Sequence, residues 1–261
     1  MPAKFCRSLA LIAVAASGFM ASADWPNWRG PNHDGIAPAE PALASLSKLE
    51  NARWERNVGD AFASFAVVGD RVFTGGTDSG QQTLVCLNAD DGTVVWRTNL
   101  EKAYNEPQGG NGPRATPAVD GEYVYMLAAL GKLMCVSAAD GKEVWSRQLK
   151  SPPTWGYSAS PLVEGDLVIV TAGSPDGGLL ALDKRTGKQV WRAGEDLAGY
   201  ATPCPCTLGG QRYIVGFLGN SAVIVEAQSG RIVWRVEWRT DFSVNAAAPI
   251  FHEGRLFLSS G

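Results

Sequence analysis

The sequence is poor in histidine and has no block of like charge. Its 261 residues contain only two histidines, and the formal net charge is −3. Because His33 and His252 are far apart in sequence, a His-rich metal centre is disfavoured, and a Ser-His-Asp triad would need one of these two. The charge pattern supports neither a basic nucleic-acid surface nor a polybasic membrane patch. We therefore predict no metal site and no nucleic-acid partner.

Long apolar runs are absent except at the start of the chain. A short positive stretch ends at Arg7, an apolar run follows over 9–20, and small residues end at Ala23. This pattern predicts a secretory signal peptide over 1–23, cleaved after Ala23, with a retained membrane anchor as the alternative. No other stretch is long and apolar enough for a transmembrane segment. We expect the product to be periplasmic or secreted.

Cysteine is sparse as well, and four cysteines follow the predicted leader. Cys86 and Cys135 each lie six residues before a glycine, which predicts equivalent buried thiols in two repeats. Cys204 and Cys206 flank a proline and are too close for a relaxed disulfide, and no histidine near them completes a zinc site. We expect structural roles for this pair, with redox or metal chemistry as the alternative.

Glycine and tryptophan are abundant, and they recur together. Four segments place a tryptophan four residues after a turn glycine, at spacings of about 43 to 49 residues. Strand-like segments precede each glycine, and no helical period is present. Four short strands in 40–50 residues are typical of a β-propeller blade, so the fold class is predicted to be all-β. The recurring tryptophans are predicted to dock neighbouring blades: Trp96, Trp145, Trp191 and Trp234.

The segment from Ala181 to Trp191 resembles the repeat signature of PQQ-like β-propellers. It reads Ala-Leu-Asp-Lys-Arg-Thr-Gly-Lys-Gln-Val-Trp, and the resemblance covers 51–261. The family includes quinoprotein alcohol dehydrogenases and a non-catalytic propeller lipoprotein of the outer-membrane assembly machine. A second segment, Trp25 to Gly35, resembles the opening of exported propellers of this kind. We expect 24–50 to be an irregular arm that packs its tryptophans on the propeller, with a ligand site as the alternative.

The propeller is predicted to be incomplete. The sequence holds four complete blades, a leading strand at 51–54 and a trailing half-blade from Pro249, which makes about four to five blades over 51–261. The resemblance implies a ring of seven or eight. We therefore expect a partial propeller, and the alternative is a short chain that closes by oligomerising.

Propellers bind ligands on the loops that lead into their innermost strands. Here Arg114, Ser158, Tyr200 and Ala246 each lie three residues before a proline that opens such a strand. Arg114 suits a carboxylate or phosphate, aromatic rings suit a flat ligand, and polar side chains can hydrogen-bond it. The alternative is that these side chains fill or cap the channel. The predicted ligand-binding residues at the mouth are Arg114, Trp155, Tyr157, Tyr200, Asp241 and Asn245.

The resemblance leaves two classes of function open. Quinoprotein dehydrogenases hold a quinone between a tryptophan and a disulfide of adjacent cysteines, beside a calcium ion and an aspartate base. This sequence has no adjacent cysteines, and no such ligand set can be assigned. We predict an exported, non-catalytic binding or scaffold module without a cofactor, whose mouth takes a protein or a small ligand. The alternative is a dehydrogenase using pyrroloquinoline quinone and calcium, completed by missing C-terminal blades.

Overall fold

The structure is a computed structural model that describes residues 24–37 and 52–260. The predicted signal peptide over 1–23 and the arm residues 38–50 lie outside the described residues. Within the described chain, regular structure consists of strands and one short 3₁₀ turn, Asp241–Ser243. The strands form four antiparallel four-stranded sheets in chain order and one two-stranded sheet. An all-β, incomplete propeller is thereby confirmed, with four whole blades and two strands of a fifth.

The blades follow one another along the chain. Blade 1 consists of β1 (Ala66–Val68), β2 (Arg71–Asp78), β3 (Gln81–Asn88) and β4 (Val94–Lys102). Blade 2 consists of β5 (Ala118–Asp120), β6 (Tyr123–Leu127), β7 (Lys132–Ser137) and β8 (Glu143–Gln148), and blade 3 of β9 (Leu162–Glu164), β10 (Leu167–Thr171), β11 (Leu179–Asp183) and β12 (Gln189–Ala193). Blade 4 consists of β13 (Cys204–Leu208), β14 (Gln211–Phe217), β15 (Ser221–Glu226) and β16 (Ile232–Glu237), and the half-blade of β17 (Ile250–His252) and β18 (Arg255–Phe257). The first strand of each blade, here called the inner strand, lies beside the inner strand of a neighbour, as β1 does with β5 and β5 with β9.

Blades 1 to 4 are joined in series by a tryptophan that lies on a turn glycine of the following blade, and Trp54 makes the same contact with blade 1 from the segment before it. A Cβ placed on any of these glycines would come within 2.4 to 2.6 Å of the indole. The indole Nε1 also donates to the backbone oxygen three residues before the same glycine, at 2.9 to 3.0 Å. Only glycine fits, because the turn has positive φ and no room for a side chain. These Trp–Gly joints pair Trp54 with Gly92, Trp96 with Gly141, Trp145 with Gly187, and Trp191 with Gly230.

Trp96, Trp145 and Trp191 are 6 to 8% exposed, and they belong to apolar clusters that fill the space between blades. Trp234 departs from the expectation that all four tryptophans are buried between blades, because it is 41% exposed. The half-blade after it supplies only β17 and β18, and among the described residues no turn glycine packs on its indole. Trp234 therefore has the position of a joint without the contact.

A second set of contacts joins the blades at their inner strands. The backbone N–H of Ser64 donates to Thr116 Oγ1 at 3.2 Å, and the N–H of Thr116 donates to Ser160 Oγ at 2.9 Å. The N–H of Ser160 in turn donates to Thr202 Oγ1 at 2.9 Å. These hydroxyls stand immediately before the prolines that open the inner strands, and we call the series the hydroxyl ladder. It ends at Ala248, which has no hydroxyl to offer.

Gly187→Ala should be far more damaging than Gly121→Ala. Both glycines have positive φ, +69° and +55°, so alanine meets left-handed backbone strain of about 1–2 kcal/mol at either site. A Cβ on Gly187 would also lie 2.6 Å from the Trp145 indole, whereas one on Gly121 meets nothing within 4 Å. Overpacking adds about 1–3 kcal/mol, so the free energy of unfolding should fall further for Gly187→Ala. Equal losses in denaturant titrations would show that the joint contributes no stability.

Ser160→Ala should cost about 1–3 kcal/mol, because it leaves the buried N–H of Thr116 without its acceptor. Ser160→Thr keeps the hydroxyl and should recover most of that loss. As a control, Ser146→Ala removes an exposed hydroxyl bonded to Glu143 and should change stability by less than about 0.5 kcal/mol. Chemical denaturation of the three variants checks the ladder; a Ser160→Ala chain as stable as the Ser146→Ala chain would contradict it.

Candidate functional site

The segments that lead into the inner strands line a cavity of about 120 Å³. Its wall includes the four positions that the proline spacing had aligned in the sequence, and three hydroxyls of the ladder. Two aromatic side chains, Phe62 and Trp28, complete it. The lining residues are Trp28, Phe62, Arg114, Thr116, Ser158, Ser160, Tyr200, Thr202, Ala246 and Ala248. The four residues that lie three positions before a proline in the sequence therefore line the same cavity in the structure.

Arg114 is held rigidly at the wall of this cavity. Its Nη1 donates to the backbone oxygen of Gly112 at 2.8 Å, and its Nη2 donates to that of Gly110 at 2.7 Å. The guanidinium carbon lies 4.9 Å from the ring centroid of Tyr104 and 5.6 Å from that of Phe62. These contacts use two of the five N–H groups, so the guanidinium retains donors for an anion. Arg114 thus both braces its own loop and carries positive charge at the mouth.

Aromatic side chains surround the mouth above Arg114. The ring of Trp155 lies 6.1 Å from that of Tyr200 and 5.9 Å from that of Phe242, centroid to centroid. The backbone N–H of Trp155 donates to the Tyr200 hydroxyl at 3.3 Å, and its Nε1 donates to Gln108 Oε1 at 3.1 Å. Burial raises the pKa of Tyr200, which keeps its phenol neutral. We define the aromatic rim as Phe62, Tyr104, Trp155, Tyr200 and Phe242.

Phe242 is the most exposed aromatic side chain of the rim. It is 77% exposed, and its backbone φ is +58°, in the left-handed region that bulky residues rarely adopt. Ser243 has the same φ and is anchored by a hydrogen bond from its Oγ to Asn220 Oδ1 at 3.2 Å. A groove of about 330 Å³ runs beside Phe242, along Pro152, Pro153 and Leu197. The loop therefore holds an apolar ring in solvent at the edge of a groove.

Asn245 supports that loop from within the protein and does not line the cavity. It is fully buried, and its Nδ2 donates to the backbone oxygen of Leu218 at 2.7 Å. Its own backbone oxygen accepts from the N–H groups of Tyr200 and Ala201. Its placement corrects the expectation that Asn245 hydrogen-bonds a ligand, because its amide is engaged inside the protein. Asp241 lies in the same loop at the first position of the 3₁₀ turn and is exposed.

Tyr157 is also placed differently from the expectation that it stacks on a ligand. Its side chain is fully buried between blades 2 and 3, and its hydroxyl donates to the backbone oxygen of Ala172 at 2.7 Å. The backbone N–H of Tyr157 donates to Ala129. Gly156 precedes it with positive φ, which turns the chain so that Trp155 lies at the rim while Tyr157 enters the core. Tyr157 is therefore a packing residue.

The four cysteines of the described chain are buried free thiols. Burial raises the pKa of Cys204, and it raises that of Cys206 to about 11. Both thiols are therefore protonated and weakly nucleophilic at neutral pH. Among residues 24–37 and 52–260, no three His, Cys, Asp or Glu side chains are grouped to hold a metal ion. The residues present thus do not fit the cysteine pair and the calcium ligands that a quinone cofactor would need.

Sequence reasoning missed part of this site. The ladder hydroxyls Thr116, Ser160 and Thr202 stand directly before prolines, so aligning the repeats on proline would have shown a polar column. Phe62 was missed because its blade lacks that proline. Phe242 was missed because its exposure depends on a left-handed backbone conformation, which no residue type in the loop predicts.

The chain is similar to two curated assembly factors. It is 32% identical over 150 residues to the outer membrane protein assembly factor BamB of Alkalilimnicola ehrlichii, covering 57% of this chain and 36% of that protein. It is 27% identical over 191 residues to the BamB of Burkholderia pseudomallei, covering 72% of this chain and 46% of the relative. The chain thus spans less than half the length of either relative. No helix in the described part is long and apolar enough to cross a membrane.

Among solved structures, the quinohemoprotein alcohol dehydrogenase of Comamonas testosteroni superposes with a TM-score of 0.66 at 16% identity. That match covers 90% of this chain and 45% of the enzyme, and at this identity it concerns the fold alone. The family profile described as outer membrane protein assembly factor BamB matches residues 44–115 and 80–261. With blades, Trp–Gly joints and this match in agreement, the chain belongs to the PQQ-like propeller family of the outer membrane protein assembly factor BamB.

Proposed function

We propose that this chain is an exported, non-catalytic propeller that binds a protein partner at its mouth and serves outer-membrane protein assembly. The proposal draws on the relatives named as assembly factors and on the leader predicted over 1–23, which would deliver the product to the periplasm. Its partner is a protein segment, and the mouth is the part of the surface that receives it.

The aromatic rim is the observation that carries the proposal. Phe242 is 77% exposed and lies beside the half-buried Trp155, and Phe62 is 60% exposed and shares the cavity wall with the half-buried Tyr200. Aromatic side chains and arginine are the residues that dominate protein interfaces, because they bury large areas at a small entropic cost. Arg114 stands among them with spare donors. A rigid apolar rim around a charged centre suits a partner that presents apolar side chains and a carboxylate.

The backbone of the rim supports the same conclusion. Holding Phe242 and Ser243 at positive φ costs of order 1–3 kcal/mol per residue. That cost is met by the buried hydrogen bonds of Asn245 and by the contact of Ser243 with Asn220. A loop under strain that exposes a phenylalanine is typical of binding sites. Without a partner, exposing this ring has no favourable effect on folding.

A dehydrogenase role receives less support from the residues. The relevant enzymes share the fold, which does not by itself fix function. The chain has no adjacent cysteines, and the described carboxylates form no group for a metal ion. Activity that depends on pyrroloquinoline quinone and calcium is therefore one of the outcomes that the experiments below distinguish.

Phe242→Asn should abolish the function and leave the fold intact. Asparagine tolerates the left-handed region better than phenylalanine, so stability should stay the same or rise slightly. In a strain of the source organism lacking this gene, the full-length wild type should restore the level of folded outer-membrane proteins, and Phe242→Asn should not. Val190→Asn is the control, because Val190 is 51% exposed on an outer strand away from the rim.

Full complementation by Phe242→Asn would contradict the proposed role of the rim. Reduction of an acceptor dye by the purified full-length protein, strictly dependent on added pyrroloquinoline quinone and calcium, would contradict the non-catalytic assignment and favour the dehydrogenase.

A further inference from the structure

The segment Trp25 to Gly35 pairs with the free edges of two inner strands. The N–H of Trp25 donates to the oxygen of Val67 at 2.7 Å, and the N–H of Val67 donates back at 2.9 Å. One blade further on, the N–H of Val119 donates to the oxygen of Pro26 at 2.8 Å. The Asp24 carboxylate also accepts from the N–H of Gly69 at 2.9 Å. The arm thus bridges β1 and β5 near the turns where these strands end.

The same segment continues across the inner face to the other blades. Trp28 forms part of the wall of the 120 Å³ cavity, together with residues from the segments that precede the inner strands of all four blades and of the half-blade. Trp28, Arg29 and His33 pack against Pro203 and Cys204 of blade 4 and against Ala248 and Pro249. The free space between them is only about 10 Å³. The arm therefore fits closely against strands that lie far from β1.

The arm is pre-organised for this position. The N–H of Gly30 donates to the oxygen of Asn27 at 3.0 Å, and that of Gly35 donates to the oxygen of Arg29 at 2.9 Å. Arg29 Nη2 donates to the oxygen of Asp34 at 2.9 Å. Gly30 has a φ of +75°, and a Cβ there would lie 2.6 Å from the ring of Trp25. These contacts fold the arm into a compact turn, which lowers the entropic cost of docking it.

His33 places the far end of the arm beside an ion pair between blades 3 and 4. Arg212 Nε and Nη2 donate to the Glu164 carboxylate at 2.8 and 2.9 Å. Burial lowers the pKa of His33, while Glu164 and Asp34 oppose that shift and Arg212 adds to it. The docked arm thus holds a neutral imidazole, and its docking weakens as the pH falls below the ordinary value near 6.5.

We infer that residues 24–37 form an intramolecular plug, which pairs with β1 and β5 near their turn ends, packs on the beginning of β13, and leaves the Arg114 mouth as the entrance to the cavity. Arg114, Ser158 and Tyr200 precede the inner strands, whereas the arm pairs near the turns that follow them. The arm occupies strand edges that suit an extended segment with two tryptophans, and here that segment belongs to the same chain. The inference does not depend on which partner binds at the mouth.

The thiol of Cys204 offers a direct test, because it lines the narrow space beneath Trp28, Arg29 and His33. In the Cys206→Ser background, iodoacetamide labelling of Cys204 would be followed by mass spectrometry in the chain from residue 24 and in a chain that starts at residue 38. Without the arm, labelling should be faster by about tenfold or more, since local opening is no longer required. Cys135, fully buried between blades 2 and 3, serves as the internal reference.

A synthetic peptide of residues 24–37 should restore protection when added to the chain that lacks the arm. The same peptide with Trp25→Ala and Trp28→Ala should not. If the shortened chain does not fold, Trp28→Ala in the longer chain provides the same comparison. Unchanged labelling of Cys204 would overturn the plug. Equal acceleration at Cys135 would overturn it too, because the arm would then support the whole fold. Neither result bears on the rim variants that test the proposed function.

Discussion

The indole of one blade lying on the turn glycine of the next is the contact on which this structure depends. A four-stranded sheet of this size exposes two apolar faces, and it becomes stable only when neighbours cover them. The Trp–Gly joint sets the distance between neighbours, because a glycine without a side chain lets the ring reach the backbone. The hydrogen bond from indole Nε1 then fixes the orientation. Clusters such as that of Tyr125, Trp145 and Leu182 fill the space so defined.

The joints and the hydroxyl ladder act at different radii. The joints lie toward the outside of the blades, at the tryptophans of β4, β8 and β12, whereas the ladder runs along the beginning of the inner strands. Two separated contacts fix both the spacing and the tilt of a blade. The loops that carry Arg114, Trp155 and Tyr200 are anchored on blades held by the joints and the ladder. The rigidity of the rim therefore depends on contacts that lie outside the rim itself.

The fold was predictable from the sequence, because the joint requires particular residue types at fixed positions. Only glycine suits the turn, and tryptophan supplies both the flat ring that covers it and the Nε1 donor, so the pair recurs from blade to blade. The proline register likewise placed Arg114 and Tyr200 on one cavity. It failed for Tyr157 and Asn245, because position along a loop does not determine which way a side chain points; a left-handed Gly156 decides that for Tyr157. Burial of Trp234 was also misjudged, since it depends on a neighbour and not on its own segment.

The joints have a consequence for how the protein opens. Each one links a blade only to its nearest neighbours, as in a row of coupled units, so the cost of opening a blade depends on how many joints it keeps. Blades 2 and 3 are joined to a whole blade on both sides, whereas the second joint of blade 1 is made by Trp54, which lies outside the sheets, and blade 4 keeps only the Trp191 joint. Slow amide exchange should therefore be most persistent in β6, β7, β10 and β11, the central strands of the two blades that have a whole blade on each side.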